Sequence, residues 1–482
     1  MTPARFLSRS AAHRRIIAAG SLFAVLALLS VPALLLAHAH LRGSEPSANA
    51  RLSTSPRAIR LWFTEQPELA FTRITLRRAD SSEVPLGAIA TITGDKMGVT
   101  APVSAPLGPG TYRVYWRTAA ADGHATSGSF AFTVTGSAPA VAAPAVATRA
   151  DTAASERADG HALVKVDTTA GASPSVSAMA ATRWLEFMAM LAVVGAIVFR
   201  FAVLRGFARA TAGATPEVRS ELIDSARRLG QSALVLLLVA TVWRLYAEAN
   251  TLLGPTEQGD RPPMRTLLVG TSWGRGWLVG LIGIILAALG FTIAKRWRSA
   301  VGWGVAALGA VGIVVSPALT GHAISTSPAG VSVVIDILHV AAVCAWLGAL
   351  LTLLLSAIPF VRGTRERASL GSGQLVADLV RAFHPMALTC AAVVVLTGVV
   401  AAWLRLPTLA DLWASTYGRV LLVKLCFVAL VIVMGALNWR RIMPSLGDDA
   451  TARRLTRTAG AELTIAALVL AVTAVLVSTS PP

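Results

Sequence analysis

This chain of 482 residues is poor in charge and in cysteine, and it lacks a nucleotide-binding loop. Charged residues make up 14% and hydrophobic residues 54%, a balance too apolar for a soluble protein, so most of the chain should lie in a membrane. The three cysteines, Cys344, Cys390 and Cys426, all lie in apolar runs, which excludes a disulfide framework. Without a glycine-rich phosphate loop of the Walker type, pumping driven by ATP hydrolysis has no support.

The formal net charge of +18 is the strongest bias in the composition. Such an excess is typical of nucleic-acid binding, but here the Lys and Arg residues form short clusters between apolar runs rather than one basic face. We therefore interpret them as signals of membrane topology and predict no nucleic-acid partner.

Residues 1–37 have the three parts of a secretory signal: a basic start, an apolar run over 16–36, and the small residue Ala37. Cleavage after Ala37 would make His38 the new amino terminus. Its α-amine and imidazole could then bind one metal ion together, and nitrogen-rich tetragonal sites suit Cu(II). Two alternatives stay open: cleavage after Ala39, which leaves only His40, or an uncleaved first membrane helix followed by incidental histidines.

Between residues 38 and 136, short stretches alternate apolar and polar residues, with proline and glycine between them. This alternation predicts strands that each bury one face, in an antiparallel sandwich or barrel of about seven strands. The alternating apolar positions are Ile59, Leu61 and Phe63; Tyr112, Val114 and Trp116; and Phe130, Phe132 and Val134.

Carboxylates and imidazoles occur where this β domain has its turns. Asp122 and His124 lie in the turn before the last strand, and Glu65 follows an earlier strand. For His124 alone, a solvated turn histidine is the simpler interpretation. Together with His38 and His40, these side chains could supply two to three nitrogens and one or two oxygens, which favours a metal site.

The segments HAHLRGSEPSANARLSTSPRAIRLWFTEQ and GPGTYRVYWRTAAADGHATSGSFAFTV, with the spacing between them, resemble the periplasmic copper-binding protein CopC. The resemblance covers almost all of residues 38–136 and implies a cupredoxin-like Greek-key β-barrel. It also implies that Cu(II) is held by the amino terminus and imidazole of His38 with His40, Asp122 and His124, and that Glu65 is an additional or alternative carboxylate.

Methionine content separates this domain from some CopC proteins, which carry a methionine-rich loop for Cu(I). Met97 is the only methionine in residues 38–136. We therefore predict Cu(II) binding here without a separate Cu(I) site. The family's custom of starting the mature protein at the first histidine favours cleavage after Ala37.

Residues 137–179 are rich in Ala, Ser, Thr, Pro and Gly and should form a flexible linker. Residues 180–482 contain eight apolar runs, each long enough for a membrane helix of about 20 residues. The predicted spans are 181–204, 229–250, 274–294, 299–317, 331–358, 385–404, 418–439 and 459–478. The predicted fold is thus a β domain followed by an all-α bundle in a lipid bilayer.

Positive charge alternates between the loops of this bundle. One side carries large clusters, and the positive-inside rule makes it cytoplasmic, so the β domain and the carboxyl terminus should lie outside the plasma membrane. The clustered residues are Arg205, Arg209, Arg219, Arg227 and Arg228; Lys295, Arg296 and Arg298; Arg362, Arg365, Arg367 and Arg381; and Arg440, Arg441, Arg453, Arg454 and Arg457. The opposite loops contribute only Arg261, Arg265, Arg275, Arg405 and Arg419.

Polar residues inside apolar helices indicate a partner or a pathway. Ser332, Asp336 and His339 are spaced i, i+4, i+7, so they share one face of the fifth predicted helix as a stripe entered from outside. His322, just before this helix, could stand at the mouth of the stripe. Glu186 in the first helix is a similarly shallow acid.

The opposite end of such a path would lie near His384 and Glu462, with Asn438 close by. The alternative is that all these groups form interhelical hydrogen bonds that hold the bundle together; it is the favoured interpretation for Glu462, Asn438 and Lys424 and about even for His339 with Asp336. We interpret Arg244 and Glu248 as an i, i+4 pair on the surface of the second helix.

The segments SPALTGHA, DILHVAAVCAWLGALL, TYGRVLLVKLCFVALVIVMGALNWRRIMPSL and RTAGAELTIAALVLAVTAVLVSTSPP resemble the copper-resistance membrane protein CopD. The likeness is clearest over 316–482. A CopC barrel joined to a CopD bundle resembles bacterial copper-uptake proteins of the YcnJ type. It implies that the exported domain captures Cu(II) and passes it to the bundle for import, where thiols and imidazoles would also suit Cu(I).

Two other function classes stay open. The chain could be a copper sensor, storage or resistance receptor whose bundle is only an anchor. It could also be a membrane reductase with haem held by His339 and His384, although topology places these two residues toward opposite faces. We see no nucleophile with a partnered base and predict no enzyme activity; a homo-oligomer is compatible with the sequence.

Overall fold

A computed structural model of the chain describes residues 41–119, 125–136, 176–210, 216–252, 264–321, 323, 329–363, 372–406, 408–442 and 449–478. Contacts divide the chain into a β unit and a helical unit.

Nine strands form two sheets in the β unit, and most neighbours pair antiparallel. The four-stranded sheet has the order β1-β3-β7-β6 and the five-stranded sheet has the order β2-β9-β8-β4-β5. The strands are β1 Leu41–Glu45, β2 Arg51–Leu52, β3 Ala58–Phe63, β4 Arg73–Arg78, β5 Glu83–Val84, β6 Ala90–Ile92, β7 Asp95–Pro102, β8 Gly110–Ala119 and β9 Ala125–Val134.

The alternation in the sequence is the alternation of burial in this sandwich. All nine predicted inward positions of β3, β8 and β9 are buried, with Trp116 the most exposed at 8%. The predicted β-sandwich is therefore confirmed. The strand number differs because β2 and β5 have two residues each, too few for a periodic signal.

Aromatic rings pack between the two sheets and within the five-stranded sheet. The Phe63 and Trp116 rings meet edge to face with centroids 5.2 Å apart, and Tyr112 stacks on Phe132. Tyr112 also donates its hydroxyl hydrogen to the Gly108 carbonyl, so its polar tip is satisfied. These contacts fix β3 against β8, which matters for the metal site described below.

The helical unit consists of α-helices joined by short connections, and three π-helical turns, Phe199–Val203, Leu353–Ala357 and Asn438–Ile442, continue α1, α7 and α11. The helices are α1 Val176–Val198, α2 Leu204–Ala210, α3 Pro216–Leu252, α4 Met264–Gly270, α5 Ser272–Trp297, α6 Ala300–Leu319, α7 Ala329–Thr352, α8 Ile358–Gly363, α9 Ser372–Arg405, α10 Asp411–Ala414, α11 Thr416–Leu437 and α12 Asp449–Leu476.

Eight stretches of the described chain are long and apolar enough to cross a membrane, as predicted. They are Ala178–Arg209, Pro216–Asn250, Ser272–Trp297, Ala300–Leu319, Gly330–Val361, Gly373–Arg405, Thr416–Arg441 and Arg453–Leu476. Two of them start 12 to 13 residues before the predicted bounds, at Pro216 and Gly373. Their first turns mix apolar and charged or polar residues, so an uninterrupted apolar run did not reveal that the helices begin earlier.

Glycine allows the closest helix crossings. A Cβ atom on Gly283 of α5 would lie 2.6 Å from the Gly309 carbonyl oxygen of α6, and one on Gly290 would lie 2.6 Å from the Gly302 carbonyl oxygen. In the same way, a Cβ on Gly195 of α1 would collide with the Gly348 backbone of α7. Backbones in contact through small residues are the usual means of helix association in lipid.

Candidate functional site

Three chain segments meet at one end of the β sandwich. Leu41 at the start of β1 pairs with Phe63 at the end of β3. Because Phe63 packs on Trp116, the end of β8 lies at the same end of the sandwich. The Glu68 amide also donates to the Ala119 carbonyl at 2.8 Å, which fixes the segment after β3 against the end of β8.

Glu65 lies in that segment, two residues beyond β3, and is only 8% exposed. A nearby buried hydrogen bond of 2.8 Å joins the hydroxyls of Thr72 and Thr118. A carboxylate with so little exposure is stable when it is paired or binds a metal. The predicted metal carboxylate is thus held on the described frame at the end where β1 begins and β8 ends.

The predicted ligands His38, His40, Asp122 and His124 lie outside the described residues. Their described neighbours are Leu41, which follows His40, and the Ala119–Ala125 pair that flanks the β8–β9 turn. Within the described ranges no group of three or more His, Cys, Asp or Glu side chains could hold a metal ion. The ligand set stays a prediction, and its chemistry, imidazole nitrogens with carboxylate oxygens, fits copper.

A second polar site lies inside the helical unit, where α7 faces α9. Arg405 donates to Asp336 at 2.6 Å, and the two side chains are 16% and 25% exposed. His339, one turn further along α7, shares a 2.9 Å hydrogen bond between its Nδ1 and the Thr397 hydroxyl of α9. Asp336 and His339 therefore both contact the same neighbouring helix, and Ser332 on the same helix is 2% exposed.

Helix α11 closes this site with two more polar side chains. Tyr417 is hydrogen-bonded to Arg405, and Lys424 lies close enough to Arg405, Asp336 and His339 to act on them electrostatically. We call the six residues the α7–α9–α11 cluster: Asp336, His339, Thr397, Arg405, Tyr417 and Lys424. At 1.5 Å per residue, His339 lies about 15 Å along α7 from its first residue.

The charge of this cluster differs from that of a ready cation site. It holds one carboxylate and two basic groups, and the carboxylate is already paired. A metal cation approaching Asp336 must therefore displace Arg405 or bind first at the His339 imidazole.

A further group of polar side chains lies toward the ends of α9 and α11 that are remote from the α7–α9–α11 cluster. The His384 ring stacks on Trp439 at 5.5 Å, and Asn438 donates to Glu462 at 3.2 Å. The latter bond joins α12 to the π-helical turn after α11, as the interhelical interpretation predicts. The buried Nε2 atom of His384 has no hydrogen-bond partner among the residues that the structure describes.

Glu186 lies in a different environment from the one we expected. The interpretation of Arg244 and Glu248 as a surface pair is wrong, because they are only 7% and 6% exposed. Arg244 donates to Glu186 of α1 at 3.3 Å, and its guanidinium lies 5.6 Å from the Trp273 ring centre. A charge buried in the bundle needs a partner on a neighbouring helix, so Glu186 and Arg244 form an interhelical ion pair.

His322 and the three cysteines are the remaining candidate residues of the helical unit. His322 lies outside the described residues. Cys344 is buried in the core, whereas Cys390 is half-buried and Cys426 is exposed on a helix face. All three are free and lie on separate helices, so they give no thiol cluster in the described chain.

Models of known families match three parts of the chain. A CopC domain matches residues 41–135, a copper resistance protein D-like N-terminal domain matches residues 173–331, and copper resistance protein D matches residues 377–476. The copper transport protein CutJ of Bacillus subtilis (strain 168) is 24% identical over 464 residues, which cover 95% of this chain and 77% of CutJ. The chain belongs to the CopC–CopD fusion family.

The CopC part of this fusion has relatives that consist of that domain alone. Copper resistance protein C of Xanthomonas campestris pv. juglandis is 35% identical over 103 residues, covering 20% of this chain and 80% of the relative. The crystal structure of PcoC, a methionine-rich copper resistance protein from Escherichia coli, shares 31% identity with a TM-score of 0.19, covering 20% of this chain and all of PcoC. CopC from Methylosinus trichosporium OB3b shares 26% identity over 20% of this chain and 95% of that structure, with a TM-score of 0.20.

This CopC–CopD fusion is therefore a copper transport or resistance protein and a multi-pass membrane protein with eight candidate spans. Sequence reasoning missed three members of the α7–α9–α11 cluster as site residues: Thr397, Arg405 and Tyr417. Arg405 was assigned to an outer loop because it ends an apolar run. The signal that could have identified it is an opposite charge, Asp336, at a similar depth in another helix.

Proposed function

We propose that this CopC–CopD fusion imports copper across the plasma membrane. In this proposal the β domain captures Cu(II) outside the cell, and the helical domain carries copper through the bilayer. The single observation that carries it is the α7–α9–α11 cluster, because an anchor needs no group of ionisable side chains inside its spans.

The capture step rests on the end of the β sandwich. We propose that His38, with its α-amine, His40, Asp122 and His124 bind Cu(II) there, with Glu65 as an additional carboxylate. The start of β1, the end of β3 and the end of β8 meet at this end, which supports convergence of the segments that carry these residues. Cu(II) favours nitrogen-rich sites, and copper is the cargo rather than a resident cofactor.

The transfer step uses the helical domain. We propose a route that starts at His322, continues at Asp336 and His339, and reaches His384, with Glu186 as a separate shallow acid. Two basic groups face Asp336 and His339, and repulsion scales with the charge of the cargo, so Cu(I) is opposed half as strongly as Cu(II). We therefore propose Cu(I) as the form in the helical domain, with an external thiol reductant that supplies one electron to each captured Cu(II) before transfer.

The direction of import follows from the proposed orientation. Most of the Lys and Arg residues of the helical unit lie in the helix ends and connections of 205–228, 295–298, 362–381 and 440–457, which supports a cytoplasmic location for these stretches. The β domain and the carboxyl terminus then lie outside, where a domain with high affinity for Cu(II) serves capture.

The proposal is tested by total cell copper in a copper-limited strain that lacks the protein. Wild type should raise cell copper above the empty-vector level, and His124→Ala should not, at equal expression in the membrane. A decrease with wild type would make the direction export or detoxification. No change in either direction would contradict transport.

Glu65 permits a sharper test of the capture site in the same full-length protein. Glu65→Gln keeps the size of the side chain and removes the charge, so we expect copper affinity to fall about tenfold, the effect of about 1.4 kcal/mol. Glu83→Gln is the matched control, since Glu83 is exposed on the short edge strand β5. Equal affinity of both variants would remove Glu65 from the ligand set.

A second candidate function is a copper sensor, storage or resistance receptor with an anchoring bundle. The cluster is also compatible with an anchoring role, because Asp336 is already paired with Arg405 and His339 with Thr397. Cell copper that does not respond to any helical-domain variant would support this alternative.

A further inference from the structure

A basic cavity lies at the end of the first two spans, and none of its lining residues belongs to the α7–α9–α11 cluster. It has a volume of about 460 Å³ and is formed where the π-helical turn and α2 meet the first turns of α3. Its lining residues are Arg200, Phe207, Ala208, Pro216, Arg219, Ser220 and Ile223.

Arg200 and Arg219 give this cavity its charge. Neither forms an ion pair with a carboxylate within the described part of the chain. Glu217, although it lies in the first turn of α3, does not line the cavity. Two unneutralised arginines so close that their charges repel each other indicate a site for an anion.

The Arg200 side chain is held in place at this cavity. Its Nε atom is buried and has no hydrogen-bond partner among the described residues, and its guanidinium lies 5.8 Å from the Phe201 ring centre. Buried donors of this kind are normally satisfied. Because the Nε atom is shielded from the cavity, the donors available to an anionic oxygen there are the terminal N–H groups of the guanidinium, which are not among the buried atoms.

The depth of the cavity identifies the kind of anion. At 1.5 Å per residue, Arg200 lies about 33 Å along its span from Ala178, and the hydrocarbon core of a bilayer is about 30 Å thick. A span that begins at the opposite bilayer surface near Ala178 therefore places the guanidinium close to the level of the lipid phosphates. Phe207, Ala208 and Ile223 add an apolar wall beside the two charges, which suits the glycerol and upper acyl chain of a lipid.

We infer that this cavity binds the phosphate group of an anionic phospholipid, with Arg200 and Arg219 as its ligands. Basic pockets between membrane helices on the cytoplasmic side bind such headgroups. A soluble phosphate would offer the same oxygens but would leave the apolar wall uncovered. The inference does not depend on the direction of copper transport.

The test uses purified full-length protein and measures the apparent affinity for phosphatidylglycerol and phosphatidylcholine by native mass spectrometry. Wild type should prefer phosphatidylglycerol, and Arg200→Gln or Arg219→Gln should weaken its binding about tenfold each. Arg209→Gln is the matched control, because Arg209 is exposed on α2 and does not line the cavity. Arg200→Lys keeps the charge and should retain most of the binding.

Three results would overturn the inference. One is equal phosphatidylglycerol affinity of wild type and Arg219→Gln, a substitution at an exposed position that the fold tolerates. Another is the absence of a preference over phosphatidylcholine in the wild type. The third is thermal stabilisation by millimolar inorganic phosphate as large as that by phosphatidylglycerol, which would assign the site to a soluble phosphate compound.

Discussion

The helices of the α5–α6 pair and those of the α7–α9–α11 region meet through different kinds of contact. Helices α5 and α6 meet through glycine backbone, with Gly283 and Gly290 opposite Gly309 and Gly302. In contrast, α7, α9 and α11 meet through an ion pair, a histidine and a lysine. In their most apolar windows, 44% and 39% of the residues of α5 and α6 are buried, against 11% in α9 and 11% in α11, whereas α7 is 61% buried.

We interpret the α5–α6 pair as a rigid scaffold. We call the α7–α9–α11 region the working region, because we expect its side chains to exchange partners. Close backbone contact leaves no room for rearrangement, since packed interfaces have few alternative arrangements. Polar side chains at loosely packed helices can exchange partners at a lower cost, as a passing cation requires. The comparison therefore predicts that damage to α5–α6 abolishes folding, whereas damage to the cluster leaves a folded protein.

The largest effect is expected from Gly290→Leu in α5. The new side chain would meet the backbone of Gly302 and Ala306, so overpacking should cost about 3 kcal/mol or more and strongly reduce folded protein in the membrane. The measurement is the yield and thermal midpoint of purified protein. Gly304→Leu on α6 is the control, because nothing lies within 4 Å of a Cβ there; equal yields would refute a glycine seam.

A smaller effect is expected from Arg405→Gln, which leaves Asp336 without its ion-pair partner. A partly buried carboxylate that loses its partner should destabilise the protein by about 2 kcal/mol. The double variant Asp336→Asn with Arg405→Gln removes both charges and should recover most of that loss. Thermal midpoints of the four proteins give the coupling; strictly additive effects would show that the pair is not formed.

The smallest effect is expected from Asn438→Ala at the inner end of α11. It removes one hydrogen bond to Glu462, and such interhelical bonds contribute about 0.6 kcal/mol on average. The thermal midpoint should fall slightly while copper transport stays unchanged. A loss of transport as large as that from the α7–α9–α11 cluster would extend the working region to the inner end.

Much of the fold could be predicted from the sequence because its patterns are periodic. Ile59, Leu61 and Phe63 alternate along β3, and each of eight apolar runs is long enough to span a bilayer. The two-residue strands β2 and β5 carry no period and could not be predicted. The extension of α9 to Ser372 was also missed, because Gln374, Asp378 and Arg381 interrupt the apolar run that marks a span.

The sites were less predictable because pairing depends on which helices touch. Asp336 and His339 follow from their i, i+3 spacing on α7, but their partners Arg405 and Thr397 lie on a distant segment. Arg244 shows the same limit: its spacing to Glu248 indicates a local pair, whereas packing of α1 on α3 brings Glu186 to it.

The measurement that most directly tests import through the cluster is the initial rate of radioactive copper uptake by copper-limited cells expressing His339→Ala or Leu338→Ala. Leu338 precedes His339 on α7 but is 48% exposed on another face, so it controls for general damage to the helix. We predict that His339→Ala lowers uptake at least about tenfold at equal folded protein, while Leu338→Ala matches wild type. Wild-type uptake by His339→Ala would contradict transport through this cluster.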